Sequence, residues 1–163
     1  MRNTTLCFLL RSEEICLPMK KRGFGQGRHN GYGGKQSEKE SIEDAAIREL
    51  YEESKILINK ENLFLVAKLE FYFPEKLEWN QCVHVYSIER WEGEPQETEE
   101  MLPYWFQKTN LPYELMWPDD PFWLPYILDG KYIQAKFSLG LDQNSILHQE
   151  VKVYDRNLFS QTF

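Results

Sequence analysis

Three glutamates, Glu49, Glu52 and Glu53, stand at i, i+3 and i+4 in a segment whose apolar residues recur with a helical period. On a helix their side chains share one face. Like charges at that spacing repel by roughly 0.2–0.5 kcal/mol per pair, so the triplet is either solvated surface or a set of oxygen ligands for a hard cation. Mg²⁺ or Mn²⁺ would suit such ligands and would bring phosphate substrates with it. Arg48 lies on a neighbouring face; it can pair with Glu52 or reach back to Glu40, but it cannot neutralise all four acids. A second acidic feature is Asp119-Asp120, set between Pro118 and Pro121. Asp120 can cap a helix that begins at Pro121. In apolar surroundings two adjacent carboxyl groups do not both ionise easily, and one keeps its proton. A third feature is a loop: six of the nine glycines fall between Gly23 and Gly34. Gly34-Lys35-Gln36 lacks the Ser or Thr of a phosphate-binding P-loop, and no third glycine completes a dinucleotide-binding GxGxxG.

The elements that must position these groups follow from pattern. Ser41 is a suitable N-cap, and Asp44 three residues on makes a variant capping box. Ile42, Ala46 and Leu50 then form one apolar stripe that fades near Lys55, which predicts a helix. Strands are predicted at residues 4–10 and 14–18 around a charged turn, at 63–73 and 81–89, and at 103–106. Within 81–89 the alternation puts Val83 and Val85 on one side and His84, Tyr86 and Ile88 on the other. A second helix opens at Asp120-Pro121, carries an awkward Pro125, and closes at Gly130. Residues 131–139 and 146–153 read as a hairpin around Gly140. The order of elements gives an α+β class, with a mixed sheet flanked by helices.

Composition agrees. The 163 residues, with 42% hydrophobic and 28% charged side chains, suit one globular domain over 1–163, with 154–163 as a loose tail. The net charge of -7 argues against a nucleic-acid polymer as partner, since such proteins carry a basic face. The early apolar run Leu6–Leu10 is too short to span a membrane. Cys7, Cys16 and Cys82 are odd in number and scattered, which speaks for a reducing compartment and against a zinc site. The outlier is aromatic content, 15%, which implies a heavy core or a pocket that stacks flat ligands.

The spacing Gly34-x5-Glu40-x7-Arg48-Glu49-Leu50-x-Glu52-Glu53 would agree by chance on the order of 10⁻⁸ of the time per start position. It resembles the Nudix box, here residues 34–56, the signature of hydrolases that cleave a nucleoside diphosphate linked to another group. The box glycine near its end is replaced by Lys55; if that position needs a left-handed turn, Lys costs about 1 kcal/mol there. The loop from Met19 to Lys35, together with Glu100-Met101, Trp105-Phe106-Gln107 and Met116-Trp117-Pro118-Asp119-Asp120, resembles the oxidised purine nucleoside triphosphate hydrolases related to MutT.

That resemblance implies a Nudix-like α/β/α sandwich and Mg²⁺-dependent hydrolysis of triphosphates such as 8-oxo-dGTP and 2-hydroxy-dATP, with Mn²⁺ as the alternative ion. It implies that Glu49, Glu52, Glu53, Glu100 and the Gly34 carbonyl hold the metal, that Glu53 is general base or water-orienting group, and that Glu40 and Arg48 pin loop to helix. Asn30, Asp119 and Asp120 would read the base. Trp117, Phe24, Phe71 and Phe73 would supply stacking walls, although each phenylalanine taken alone suits a core better. Lys20, Thr5 and Met101 match further pocket positions. The expected partner is a small nucleotide, with no membrane partner, and the protein is expected to be a cytoplasmic monomer. Two other readings share the fold: a Nudix hydrolase of another nucleoside diphosphate derivative such as ADP-ribose, and a non-catalytic nucleotide-binding module.

Overall fold

A computed structural model describes residues 1–155. From its first residues the chain makes strand β1 (Arg2–Leu9), β2 (Glu14–Cys16) and β3 (Met19–Lys20), then the glycine loop, then helix α1 (Ile42–Ser54). Next come β4 (Phe64–Tyr72), β5 (Gln81–Ile88), β6 (Met101–Leu102) and β7 (Trp105–Gln107). Helix α2 (Leu124–Leu128) precedes the hairpin of β8 (Tyr132–Leu139) and β9 (Ile146–Tyr154).

Five strands form one sheet in the order β1-β5-β4-β8-β9. β1 and β5 run parallel, as do β4 and β8, while β4–β5 and β8–β9 are antiparallel. The mixed sheet has a core on each face. β1 alternates between them: Leu6 and Phe8 face one, Cys7 and Leu9 the other. The first core packs under α2 and includes Trp123, Leu124 and Ile127. The second packs under α1 through Ala46 and Leu50. β5 keeps the predicted alternation, with Val83 and Val85 in the first core and Tyr86 and Ile88 in the second. Helices on both faces of a mixed sheet fit the α+β class read from the pattern and make the α/β/α sandwich that the resemblance implied.

Several local expectations change. Residues 10 and 15 touch in a single bridge, but β2 pairs with β7 rather than with β1. The single strand expected at 103–106 is two, β6 and β7, divided at Pro103, which has no amide to donate to a ladder. β6 pairs with β3, a two-residue strand too short for alternation to reveal. Asp120 does not cap a helix from Pro121: residues Asp120–Phe122 form a 3₁₀ turn with no side-chain cap, and α2 starts at Leu124. Pro125 therefore sits in the first turn of α2, where its missing N–H costs nothing. Tyr154, expected in a loose tail, ends β9; the rest of that tail, from 156, lies outside the described residues.

Ser41 caps α1 as the pattern required, its Oγ accepting the Asp44 amide at 3.1 Å. At the other end Lys55 has φ 65° and ψ 18°, the left-handed conformation that the missing glycine would have taken without strain. Its amide still closes the helix on the Tyr51 carbonyl at 2.8 Å.

Candidate active site

The glycine loop runs back along β1. Thr5 donates its amide to the Gly34 carbonyl at 2.9 Å, and Gln36 donates to the Asn3 carbonyl at 3.0 Å. This close ladder is why side chains are excluded there. A Cβ on Gly33 would run into the Thr5 carbonyl, and one on Gly34 would overlap the Glu49 carboxyl group. The glycines therefore bring bare backbone to both β1 and α1.

α1 turns its acids toward that backbone. Glu53 is buried, its Oε1 accepting the Gly33 amide at 2.9 Å. Burial pushes its pKa up to about 7 against the pull of that hydrogen bond and of Lys20. Burial also raises Glu49, although Arg48 donates to it at 3.0 Å. Arg48 grips Glu40 with two nitrogens, at 2.8 and 3.1 Å, and reaches Glu52 at 3.4 Å and the Lys35 carbonyl at 3.0 Å. The Arg48 hydrogen bonds pull Glu40 down to about 2. Opposite the helix, Lys20 on β3 lies 3.9 Å from Glu53 and 3.6 Å from Glu100. Glu100 is held below the ordinary carboxylate range, first by its hydrogen bond from Arg22 at 2.8 Å.

Among the described residues no three Asp, Glu, His or Cys side chains are gathered tightly enough to cage an ion as they stand. The donor chemistry nevertheless suits a hard divalent cation: oxygen ligands only, two carboxyl groups desolvated, and Lys20 drawn between two carboxylates as a cation would be.

Beside this cluster lies a cavity of about 560 Å³ on the α2 side of the sheet. Gly33, Gly34, Lys20 and Thr5 belong to its lining, so one end of the cavity touches the acid cluster, while the acids themselves stand outside it. Asn30, Phe24, Phe71, Phe73, Met101, Trp117, Asp119 and Asp120 all line it. Asn30 Oδ1 accepts the Gly31 amide at 2.8 Å, so its NH₂ group is the end left for a ligand. Phe24 is exposed and stacks on Trp117, with ring centres 5.1 Å apart. Phe71 stacks on the core residue Phe137 at 5.6 Å, and Phe73 is buried, so both serve core and cavity at once.

Asp119 and Asp120 are almost wholly buried. Asp119 Oδ2 accepts the Trp123 indole N–H at 2.7 Å, whereas Asp119 Oδ1 and Asp120 Oδ2 have no partner in the protein. Burial raises both carboxyl groups, and Asp120 further because ionised Asp119 is its neighbour. Burial and mutual repulsion thus favour one proton held by the pair together, which leaves it able both to donate and to accept.

Three of the lining residues that residue types alone did not single out matter most here. Arg28 lies over Trp117, 4.1 Å from the ring centre. Trp79, on a 3₁₀ turn between β4 and β5, packs its ring edge-to-face with Phe24 and Phe73, each at 5.3 Å. Gln81, at the start of β5, accepts the Thr4 hydroxyl at 3.1 Å. A tryptophan in a connector between two strands was the one available signal, because a connector has no core of its own to fill.

Residues 1–126 match the family model described as NUDIX domain. The chain is 42% identical over 154 residues to the oxidized purine nucleoside triphosphate hydrolase of Mus musculus, covering 93% of this chain and 94% of that protein. It is 41% identical over 151 residues to the protein of the same name from Danio rerio, covering 93% and 95%. In fold it is similar to the crystal structure of the mMutator MutT protein from Bacillus halodurans, with a TM-score of 0.80 at 22% identity, covering 93% of this chain and 98% of that one.

Proposed function

The chain belongs to the NUDIX family, and on that premise we propose that it hydrolyses oxidised purine nucleoside triphosphates to the monophosphate and pyrophosphate. The observation that carries this reading is one cavity with two different ends. At one end stand two buried carboxyl groups, each with an oxygen free; at the other, Gly33, Gly34 and Lys20 adjoin the acid cluster of α1. A purine base needs a donor and an acceptor side by side, and a triphosphate needs positive charge.

Nudix hydrolases work with a divalent metal ion, and we assign Mg²⁺ here, with Mn²⁺ as the alternative. When bound, the ion neutralises phosphate charge and lowers the pKa of water. Glu49, Glu52, Glu53, Glu100 and the Gly34 carbonyl are the groups that would hold it. Glu53 takes or orients the proton of the attacking water at Oε2, since Oε1 is engaged by Gly33. Lys20 leaves the carboxylates to meet the sugar or a phosphate. Trp117 and Phe24 cover the base, Asp120 donates to it, Asp119 accepts from it, and the Asn30 amide donates. Glu40 and Arg48 hold the loop against the helix.

The whole chain acts as one domain in this reading, as a cytoplasmic monomer with a small nucleotide as its only partner. Among the described residues no helix is long and apolar enough to cross a membrane. Pyrophosphate release measured across oxidised, alkylated and unmodified purine triphosphates, with ADP-ribose as comparison, tests the proposal. Turnover of 8-oxo-dGTP or 2-hydroxy-dATP well above the unmodified nucleotides is expected. Good cleavage of ADP-ribose with no pyrophosphate from the oxidised triphosphates would overturn it.

A further inference from the structure

Arg28 is a cation in the cavity wall that the reaction above does not use. Its guanidinium lies 4.1 Å from the centre of the Trp117 ring. Nη2 donates to the Gln143 carbonyl at 2.9 Å and to Asn144 Oδ1 at 2.8 Å, both in the turn between β8 and β9. That turn is built to hold still: Asp142 Oδ1 accepts the amides of Asn144 and Ser145, each at 2.9 Å. Nη1 is buried with no partner in the protein, as are Asp119 Oδ1 and Asp120 Oδ2. One side chain thus joins the glycine loop, the Trp117 segment and the β8–β9 turn, and it carries a full positive charge into the wall that holds two buried acids.

We propose that Arg28 is a positioning residue for base recognition: latched by the β8–β9 turn over Trp117, it steadies that ring and keeps the Asp119–Asp120 pair at one shared proton rather than two. The inference rests on the reading of that pair as the base-recognising group. Among the described residues few groups face the pair. Arg28 is the cation that acts on both acids. Trp123 donates to Asp119, and Tyr113 faces Asp120 with its own pKa raised by burial, hence neutral. On its far side Arg28 faces Asp142, which Ser145 and Asn144 keep ionised. Burial favours the doubly protonated pair; Arg28 opposes it, because a nearby cation favours a carboxylate. Without that charge, the step from two protons to one moves to higher pH, and at neutrality more of the protein loses the Asp119 acceptor.

Carboxyl ¹³C NMR titration of the full-length, ligand-free protein reads this step directly in the parent, Arg28→Met and Arg28→Lys. Arg28→Met is expected to raise the midpoint by at least about half a pH unit, and Arg28→Lys, which keeps the charge, to return it close to the parent. Arg28→Gln serves as the second neutral variant in case Arg28→Met does not fold. Calorimetric affinities for 8-oxo-dGMP and 2-hydroxy-dAMP across pH need no turnover, so they separate this inference from the proposed hydrolysis. Their ratio is expected to change with pH around the same midpoint and to move with it in the neutral variants. An unmoved midpoint in a folded neutral variant overturns the proposal, even where turnover falls, since a merely structural wall would not titrate. A shifted midpoint with an unshifted affinity ratio overturns the role in recognition.

Discussion

The Gly33 amide donates to Glu53 Oε1 at 2.9 Å across twenty positions of sequence. The bond fixes one oxygen of a buried carboxyl group and leaves the other facing Lys20. It also joins the glycine loop to the helix, so the loop that shapes the cavity and the residue assigned to the proton are set by one contact.

Glu53→Gln keeps the shape and an oxygen for Gly33 to donate to, but removes the proton acceptor. Turnover is expected to fall by roughly 10²–10⁴-fold with nucleotide affinity retained, the usual range for losing a general base. Steady-state kinetics with a parallel binding titration checks it; unchanged turnover would remove Glu53 from the reaction.

Burial raises Glu53 to about 7 and also raises Asp119 and Asp120. Groups whose folded pKa lies above the unfolded value hold protons that the unfolded chain has lost. Their contribution to stability is full below about pH 4 and is lost as pH rises through the folded pKa. In metal-free protein the parent should therefore lose more thermal stability between pH 5.5 and 8 than Glu53→Gln does. A divalent ion should restore more at pH 8 than at pH 5.5, because its ligands must be ionised. Melting curves at the two pH values decide; equal slopes in parent and variant would count against the raised Glu53.

Asp119→Asn replaces an ionised acceptor, already bound to Trp123, by an amide that both donates and accepts. It should change the ratio of 2-hydroxy-dATP to 8-oxo-dGTP turnover. Both rates within about twofold of the parent would show that the pair does not read the base, since unpairing a buried polar contact usually costs far more.

The two adjacent glycines should fail differently. Gly33→Ala drives a Cβ into backbone, the Thr5 carbonyl, and is expected to destabilise folding by at least about 3 kcal/mol. Gly34→Ala meets only the mobile end of Glu49, so its cost should appear chiefly as a higher metal concentration for half activity. Urea unfolding and metal titration of both variants separate the two effects.

Lys55→Gly should stabilise the protein. Lys55 holds φ 65°, where a Cβ is strained, and the hydrogen bond that its backbone N–H donates to the Tyr51 carbonyl survives the change. A gain of about 1 kcal/mol, or roughly 2–4 °C in Tm for a chain of this size, is expected. A loss of stability would mean that the Lys55 ammonium, 5.4 Å from the Tyr51 ring centre, contributes more than its backbone costs.

Much of this was legible in the order of residues. Periodicity alone marks α1, the alternation of β5 and the closing hairpin, because the two faces of a buried element must differ in polarity. The spacing of Glu49, Glu52 and Glu53 puts them on one helix face before any tertiary contact exists, and Ser41 starts the helix locally. What the chain could not announce were contacts between distant segments. The pairing of β2 with β7, three residues long, and of β3 with β6, two residues long, carries no period to detect. Nor does sequence show that Arg28 meets a turn more than a hundred positions on. Burial is the deciding quantity: Glu49, Glu52 and Glu53 are chemically alike in sequence, but the fold buries Glu53 most deeply, desolvates Glu49 in part and leaves Glu52 exposed. Asp119 and Asp120 likewise become a proton-sharing pair only because the folded chain removes water from both. Residue type and local spacing name the chemical groups; only the tertiary fold sets their dielectric surroundings, and with them which group holds a proton.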